Sequence, residues 1–141
     1  MDRNRFEQYI ARFNAEDASA FDDFLAPEVT VQNGRLHYCG VQGMKDHYAK
    51  IWGKMKETLS VRRFVCDGST LAVWLETHFA VQQDDAASLF GSVRAGESFD
   101  YSGLVMYQLD AAGKFADIKV AYFDFVRTDL NGVRHSLGIV H

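Results

Sequence analysis

Apolar residues recur at helical spacing in the first third of the chain and alternate with polar ones thereafter. Phe6, Tyr9, Ile10 and Phe13 form an i, i+3, i+4, i+7 stripe, which predicts an amphipathic helix. Asn4 and Glu7, three residues apart, resemble a capping box at its start. A short second helix is predicted with Phe21, Phe24 and Leu25 on one side, ended by Pro27, the single proline. Val29 to Asn33 alternates as a short strand and turns at Gly34, and Leu36 to Cys39 either pairs with it or leads onward. Met44, Tyr48, Ile51, Trp52 and Met55 then restore the helical period and predict a third helix over 41–56.

Everything afterwards reads as strand. The segments Ser60 to Cys66, Leu71 to Gln83, Phe99 to Leu109 and Lys114 to Arg127 are predicted strands. Asp67-Gly68 marks a hairpin, and Asp110 to Gly113 suits a turn with glycine in the left-handed position. Between them, 84–97 is polar and small, with Leu89 and Phe90 as its large apolar residues, and reads as a mobile or extended hairpin loop. Asn131-Gly132 turns the chain into a tail that ends at His141. Helices clustered early, followed by strands joined through short turns, predict an α+β domain with an antiparallel sheet. Long strands twist and coil, so a sheet wrapped around the third helix becomes a cone with a cavity.

Composition narrows the function classes. A chain of 141 residues that is 48% hydrophobic and 24% charged fits one folded domain, here 1–141 with a core over 6–127 and a tail over 128–141. Eleven Phe, six Tyr and two Trp must fill a core, line a cavity or form an interface. A net charge of −4, without clustered Lys or Arg, argues against nucleic acid as the partner. No apolar run is long enough to span a bilayer, and the start is no signal peptide, so the expectation is a cytoplasmic protein without membrane association. Cys39 and Cys66 lie in no metal or redox spacing and are expected to be buried free thiols. The five histidines form no metal-ligand pair, and phosphate-loop, dinucleotide and serine-hydrolase motifs are lacking. No metal and no cofactor is expected.

Strand periodicity sorts the candidate chemistry. On 71–83 one face carries Val73, Leu75, Thr77, Phe79 and Val81, and the other carries Ala72, Trp74, Glu76, His78 and Ala80. The second face is either solvated, with an incidental Glu–His pair, or turned into the cone. In the latter case Glu76 stands beside His78, orients it and raises its basicity, which makes a general base. Tyr101, Gly103, Val105 and Tyr107 share one face of the next strand; Lys119, Ala121, Phe123 and Phe125 share one face of the last. Lys119 either reaches solvent or enters the site, and Asp124 is either structural or a site residue.

Phe24-Leu25-Ala26-Pro27-Glu28-Val29-Thr30-Val31 resembles a segment of the nuclear transport factor 2-like superfamily. Gly40-Val41-Gln42-Gly43-Met44, Asp67-Gly68 with Leu71-Ala72-Val73, and Leu109-Asp110 with Gly113-Lys114 extend the similarity to nearly the whole chain. Within that superfamily the chain is most similar to the SnoaL-like group, which includes polyketide cyclases. The resemblance implies a cystatin-like cone of three N-terminal helices packed in a strongly curved, mixed but mainly antiparallel sheet. It also implies a cavity for a lipophilic small molecule and a homodimer formed through the sheet.

Beside ketosteroid isomerase, the oxyanion tyrosine falls on Tyr9 and a supporting tyrosine on Tyr48. The general-base aspartate falls on Asn33 and the second oxyanion donor on Val105, so that acid–base set is not reproduced. Pocket-lining positions fall on Trp74, Glu76, His78, Tyr101, Gly103, Ala121 and Phe123, which turns the Glu76/His78 face inward. Beside limonene-epoxide hydrolase, Ala121 and Thr77 stand where its catalytic aspartate and arginine would be. The implied site is therefore His78 as base with Glu76 and Tyr9, and Asn33, Tyr48, Trp74, Tyr101, Lys119 and Phe123 as ligand contacts. The implied function is a lyase, isomerase or cyclase acting on a lipophilic carbonyl or polyketide-like compound; the alternative is a ligand-binding or dimeric interaction module without chemistry.

Overall fold

The computed structural model describes residues 1–138; the last three positions of the expected tail, 139–141, lie outside the described residues. In chain order the elements are α1 (Arg3–Asn14), α2 (Ser19–Phe24), β1 (Leu25–Asn33), β2 (Leu36–Cys39) and α3 (Gly40–Ala49). They continue with β3 (Met55–Cys66), β4 (Thr70–Val81), β5 (Asp85–Ser88), β6 (Gly91–Val93), β7 (Ser98–Leu109), β8 (Phe115–Thr128) and β9 (Arg134–Ser136). The main sheet runs β2-β1-β8-β7-β4-β3, with β9 added to the far end of β8. Among the described residues only the β1–β8 pairing is parallel, so the sheet is mixed and mainly antiparallel. No helix among the described residues is long and apolar enough to cross a membrane.

Helix α1 begins two residues earlier than the Asn4–Glu7 pattern suggests. Asp2 is the cap, its carboxylate accepting from the backbone N–H of Arg5 at 2.8 Å. Phe6, Tyr9, Ile10 and Phe13 are all buried, as the stripe requires. The third helix is shorter than its periodicity implied. It ends at Ala49, turns follow, and Gly53 adopts φ +86°, a conformation other residues rarely enter. Met55 and Lys56 therefore open a strand instead of closing a helix. Residues 84–97, expected as a mobile or extended hairpin loop, contain the β5–β6 hairpin, a small sheet of its own, whose Phe90 packs on Phe79, Phe99 and Phe125. Both cysteines are free thiols, but exposed instead of buried, because each falls on an outward strand position.

The interior divides into two clusters. One joins α1, α2 and α3 to the sheet through Phe6, Tyr9, Phe13, Phe21, Phe24, Leu71, Val73 and Phe115. The other joins Ile51, Met55, Phe79, Val81, Val93 and Phe99. A β-bulge, a device that bends a strand and increases its twist, interrupts the β7–β8 pairing where Ser102 and Gly103 face Asp124 and Tyr122, leaving Phe123 unpaired between them. A Cβ on Gly103 would come within 2.8 Å of the Ala121 carbonyl oxygen. Only glycine lets the two strands approach this closely.

Candidate functional site

Inward-facing residues leave a cavity of about 140 Å³ between the concave sheet and the helices. Its wall is assembled by periodicity. Helix α1 contributes Tyr9 and Phe13, four residues apart, and α3 contributes Met44, His47 and Tyr48. Alternate strand positions supply Val31 and Asn33 from β1, Glu57 and Leu59 from β3, Leu75, Thr77 and Phe79 from β4, and Tyr101, Gly103, Val105 and Tyr107 from β7. No lysine or arginine lines it among the described residues.

Of the expected site residues, the structure brings Tyr9, Asn33, Tyr48 and Tyr101 together on this wall. The Tyr101 hydroxyl donates to Asn33 Oδ1 at 3.4 Å. Burial raises the phenols of Tyr9 and Tyr48 well above their usual value and pushes Tyr101 up to about 12. These side chains stay protonated and serve as hydrogen-bond donors.

Trp74, Glu76, His78, Lys119 and Phe123 lie on the opposite, convex face, which corrects the inward orientation that the resemblance implied. The reason is that β4 buries its apolar set, Leu71, Val73, Leu75, Phe79 and Val81, and the pleat then sends 74, 76 and 78 outward. Glu76 and His78 do not pair with each other. Glu76 forms an ion pair with Arg62 across β3, and His78 Nδ1 meets Asp100 Oδ1 across β7 at 2.7 Å. The Trp74 indole N–H donates to Ser102 Oγ at 3.0 Å, and its ring meets that of Phe123 at 5.8 Å. Lys119 pairs with Asp117. Glu76, His78 and Phe123 border a polar depression of about 430 Å³ together with Asp124 and Arg134. Its ion-paired side chains are half exposed, so water screens them strongly.

Among the described residues one carboxyl lines the cavity, Glu57, which is not among the expected site residues. Glu57 is 6% exposed, and burial alone raises its carboxyl from 4.5 to about 8. No hydrogen bond to that carboxyl occurs among the described residues, although the phenols of Tyr9, Tyr38, Tyr48 and Tyr101 lie close enough to feel its charge. Burial also lowers the pKa of His47, whose ring stacks on Tyr38, so it stays neutral at pH 7. A signal for Glu57 was present in the alternation Met55, Glu57, Leu59, Val61, which places a carboxyl on the apolar face of a strand. It was hidden because 41–56 reads as helix and the next strand as starting at Ser60.

This arrangement can hold an uncharged lipophile by its rings, donate hydrogen bonds from phenols to a ligand oxygen, and exchange a proton through one carboxyl. A carboxyl whose pKa is near the working pH is well matched to proton transfer in both directions.

Solved structures share the architecture. A candidate polyketide cyclase from Pseudomonas putida superimposes with a TM-score of 0.65 at 22% identity, covering 88% of each chain. An LEH-like epoxide hydrolase of Mycobacterium tuberculosis gives 0.66 at 12% identity, over 90% of this chain and 81% of its own. A second Mycobacterium tuberculosis protein, in complex with estradiol-17β-hemisuccinate, gives 0.64 at 12% identity, over 89% and 92%. At such identities the likeness establishes the fold. No curated protein matches the chain by sequence. The SnoaL-like domain family matches residues 6–118, most of the chain and all of the cavity wall except Val120. The chain belongs to the SnoaL-like domain family.

Proposed function

We propose that the cone binds a lipophilic carbonyl compound and that Glu57 moves a proton on it, as in an isomerase, lyase or cyclase. The observation that carries this reading is a buried carboxyl without a hydrogen-bond partner, facing a cavity ringed by protonated phenols. In its ionised form Glu57 takes a proton from the carbon beside the carbonyl. Tyr9 and Tyr48 donate to the oxygen as it gains charge, and Glu57 returns the proton at the same or a neighbouring carbon. Asn33, held by Tyr101, orients the ligand. The estradiol-17β-hemisuccinate bound by the Mycobacterium tuberculosis protein of the same fold is consistent with this reading.

The test is solvent exchange: cyclic ketones and enones incubated with the protein in D₂O, followed by NMR of the α-carbon protons. Wild type and His78→Gln are expected to catalyse exchange, with a rate that rises with pH up to about 8 as Glu57 ionises. Glu57→Gln should lose roughly 10²–10⁴-fold. Exchange that persists in Glu57→Gln removes Glu57 from the mechanism, and loss in His78→Gln returns the chemistry to the convex face.

That face carries the partner reading. Leu104, Met106 and Phe123 are 53%, 46% and 55% exposed, and Trp74 and Ala121 flank Leu104 on the neighbouring strands. A contiguous apolar patch of this kind marks an interface, and a second copy of the chain, packed sheet to sheet, covers it. Sedimentation velocity at about 50 μM should give the dimer for wild type and the monomer for Leu104→Asp. A wild-type monomer at that concentration rules the homodimer out.

A further inference from the structure

The cavity is small. About 140 Å³ is comparable to an engineered dry cavity of about 150 Å³ that binds benzene, whereas pockets for drug-sized ligands run from about 300 Å³ upward. Which wall sets this limit follows from how each wall is held. The strands of the main sheet are paired along their lengths, and α1 and α3 are pinned by the aromatic cluster of Phe13, Phe21, Tyr48 and Trp52. The remaining contribution comes from the tip of the β5–β6 hairpin, where Leu89 and Phe90 line the cavity. That hairpin forms a separate two-stranded sheet. Leu89 is 51% exposed, the most open of the lining side chains, so the cavity meets solvent here.

The Phe90 side chain packs at this edge against three rings of the main sheet, within the second apolar cluster. Its centroid lies 4.6 Å from that of Phe99, 5.0 Å from Phe79 and 5.2 Å from Phe125. Within the tip Ser88 Oγ donates to the Gly91 carbonyl oxygen and accepts from the Phe90 N–H, whereas the polar ties that fasten the hairpin sit at its base: Lys54 with Asp85, the backbone N–H of Ala95 to Asp84, and the ion pair of Arg127 with buried Glu97. A hairpin fastened at its base and held at its tip by aromatic contacts can lift its tip while the base stays closed.

We propose that Phe90 determines ligand size: with its ring in place the cone accepts a single-ring lipophile bearing one or two oxygens, and larger compounds enter only when the hairpin tip lifts. This rests on the cone being the ligand site. The specificity determinant is thus a residue that takes no part in the proton transfer.

Two neutral probes test it, phenol and 2-naphthol, titrated by NMR into wild type, Phe90→Ala and Phe90→Leu. Wild type should bind phenol at least 10-fold more tightly than 2-naphthol. Phe90→Ala should tighten 2-naphthol at least 10-fold while phenol changes less than about 3-fold. Phe90→Leu, which keeps an apolar anchor for the tip, should fall between and guards against a variant that fails to fold. Equal affinity of wild type for both probes, or no gain for 2-naphthol in either folded variant, overturns the role of Phe90 while leaving the cone as ligand site. Failure of all three proteins to bind either probe overturns both.

Discussion

Glu57→Gln is expected to make the protein more stable at pH 9 and to leave its stability at pH 4 nearly unchanged. Burial holds the folded carboxyl neutral up to about 8, whereas the unfolded chain ionises it from about 4.5. Between those two values the unfolded state has released a proton that the folded state still binds. Wild-type stability therefore falls as pH rises from 4.5 to 8 and is level with respect to this group above and below. At about 1.4 kcal/mol per pKa unit the interval corresponds to roughly 5 kcal/mol, a large share of the stability of an ordinary domain. Glutamine has nearly the same shape and no proton to lose, so the variant escapes that fall. His47, held neutral by burial, adds its own loss of stability at acid pH, but it does so in both proteins and cancels in the difference. Urea midpoints at half-unit pH steps check this directly. A wild-type-minus-variant difference that does not change between pH 4 and pH 9 would show that the carboxyl is not buried as described. The same substitution that abolishes exchange chemistry is thus expected to stabilise the fold, the trade expected at a site built around a destabilised group.

The second large effect lies in the aromatic core beneath α1. Phe6 is fully buried, and its ring meets those of Tyr107 at 5.4 Å, Phe64 at 5.5 Å, Phe115 at 6.1 Å and Tyr9 at 6.2 Å. It thereby ties α1 to β3, β7 and β8. Truncation to alanine leaves a void that rigid neighbouring rings cannot fill, and a loss of about 3–5 kcal/mol is expected. In a domain of this length that lowers the melting temperature by roughly 10 °C. Phe123→Ala, on the convex face and 55% exposed, provides the contrast and should cost less than about 1 kcal/mol in the monomer. Thermal melts of the two variants at a concentration below dimer formation decide the matter. Equal shifts would contradict the placement of the two rings.

Much of this organisation is legible in one dimension. The stripe Phe6, Tyr9, Ile10, Phe13 is an amphipathic face and nothing else, because helical geometry leaves those positions no second arrangement. The alternation along 71–83 separates two faces correctly for the same kind of reason. Asp67-Gly68 and Asp110 to Gly113 form the expected turns between neighbouring strands, with Gly68 at φ +100° and Gly113 at φ +75°. Periodicity is a local property, so the sequence carries it intact.

Which face turns inward is a different question, and likeness to distant relatives answered it wrongly for β4. Apolar content pointed the right way, since Val73, Leu75, Phe79 and Val81 can be buried at a gain and Glu76 and His78 only at a cost. The boundary between α3 and β3 also escaped, because Ile51, Trp52 and Met55 suit a helix while glycine at 53 and the turns around it end one. That single misplaced boundary concealed Glu57. By itself, the sequence determined the type of most elements, the antiparallel run of long strands and the family, all set by local periodicity, turn chemistry and motif. Only the tertiary structure decided that the Glu57 carboxyl is enclosed close to four phenols and that the Glu76 and His78 side chains look outward. Enclosure depends on how sheet curvature brings residues 9, 38, 48, 57 and 101 into one volume, and no spacing along the chain encodes that.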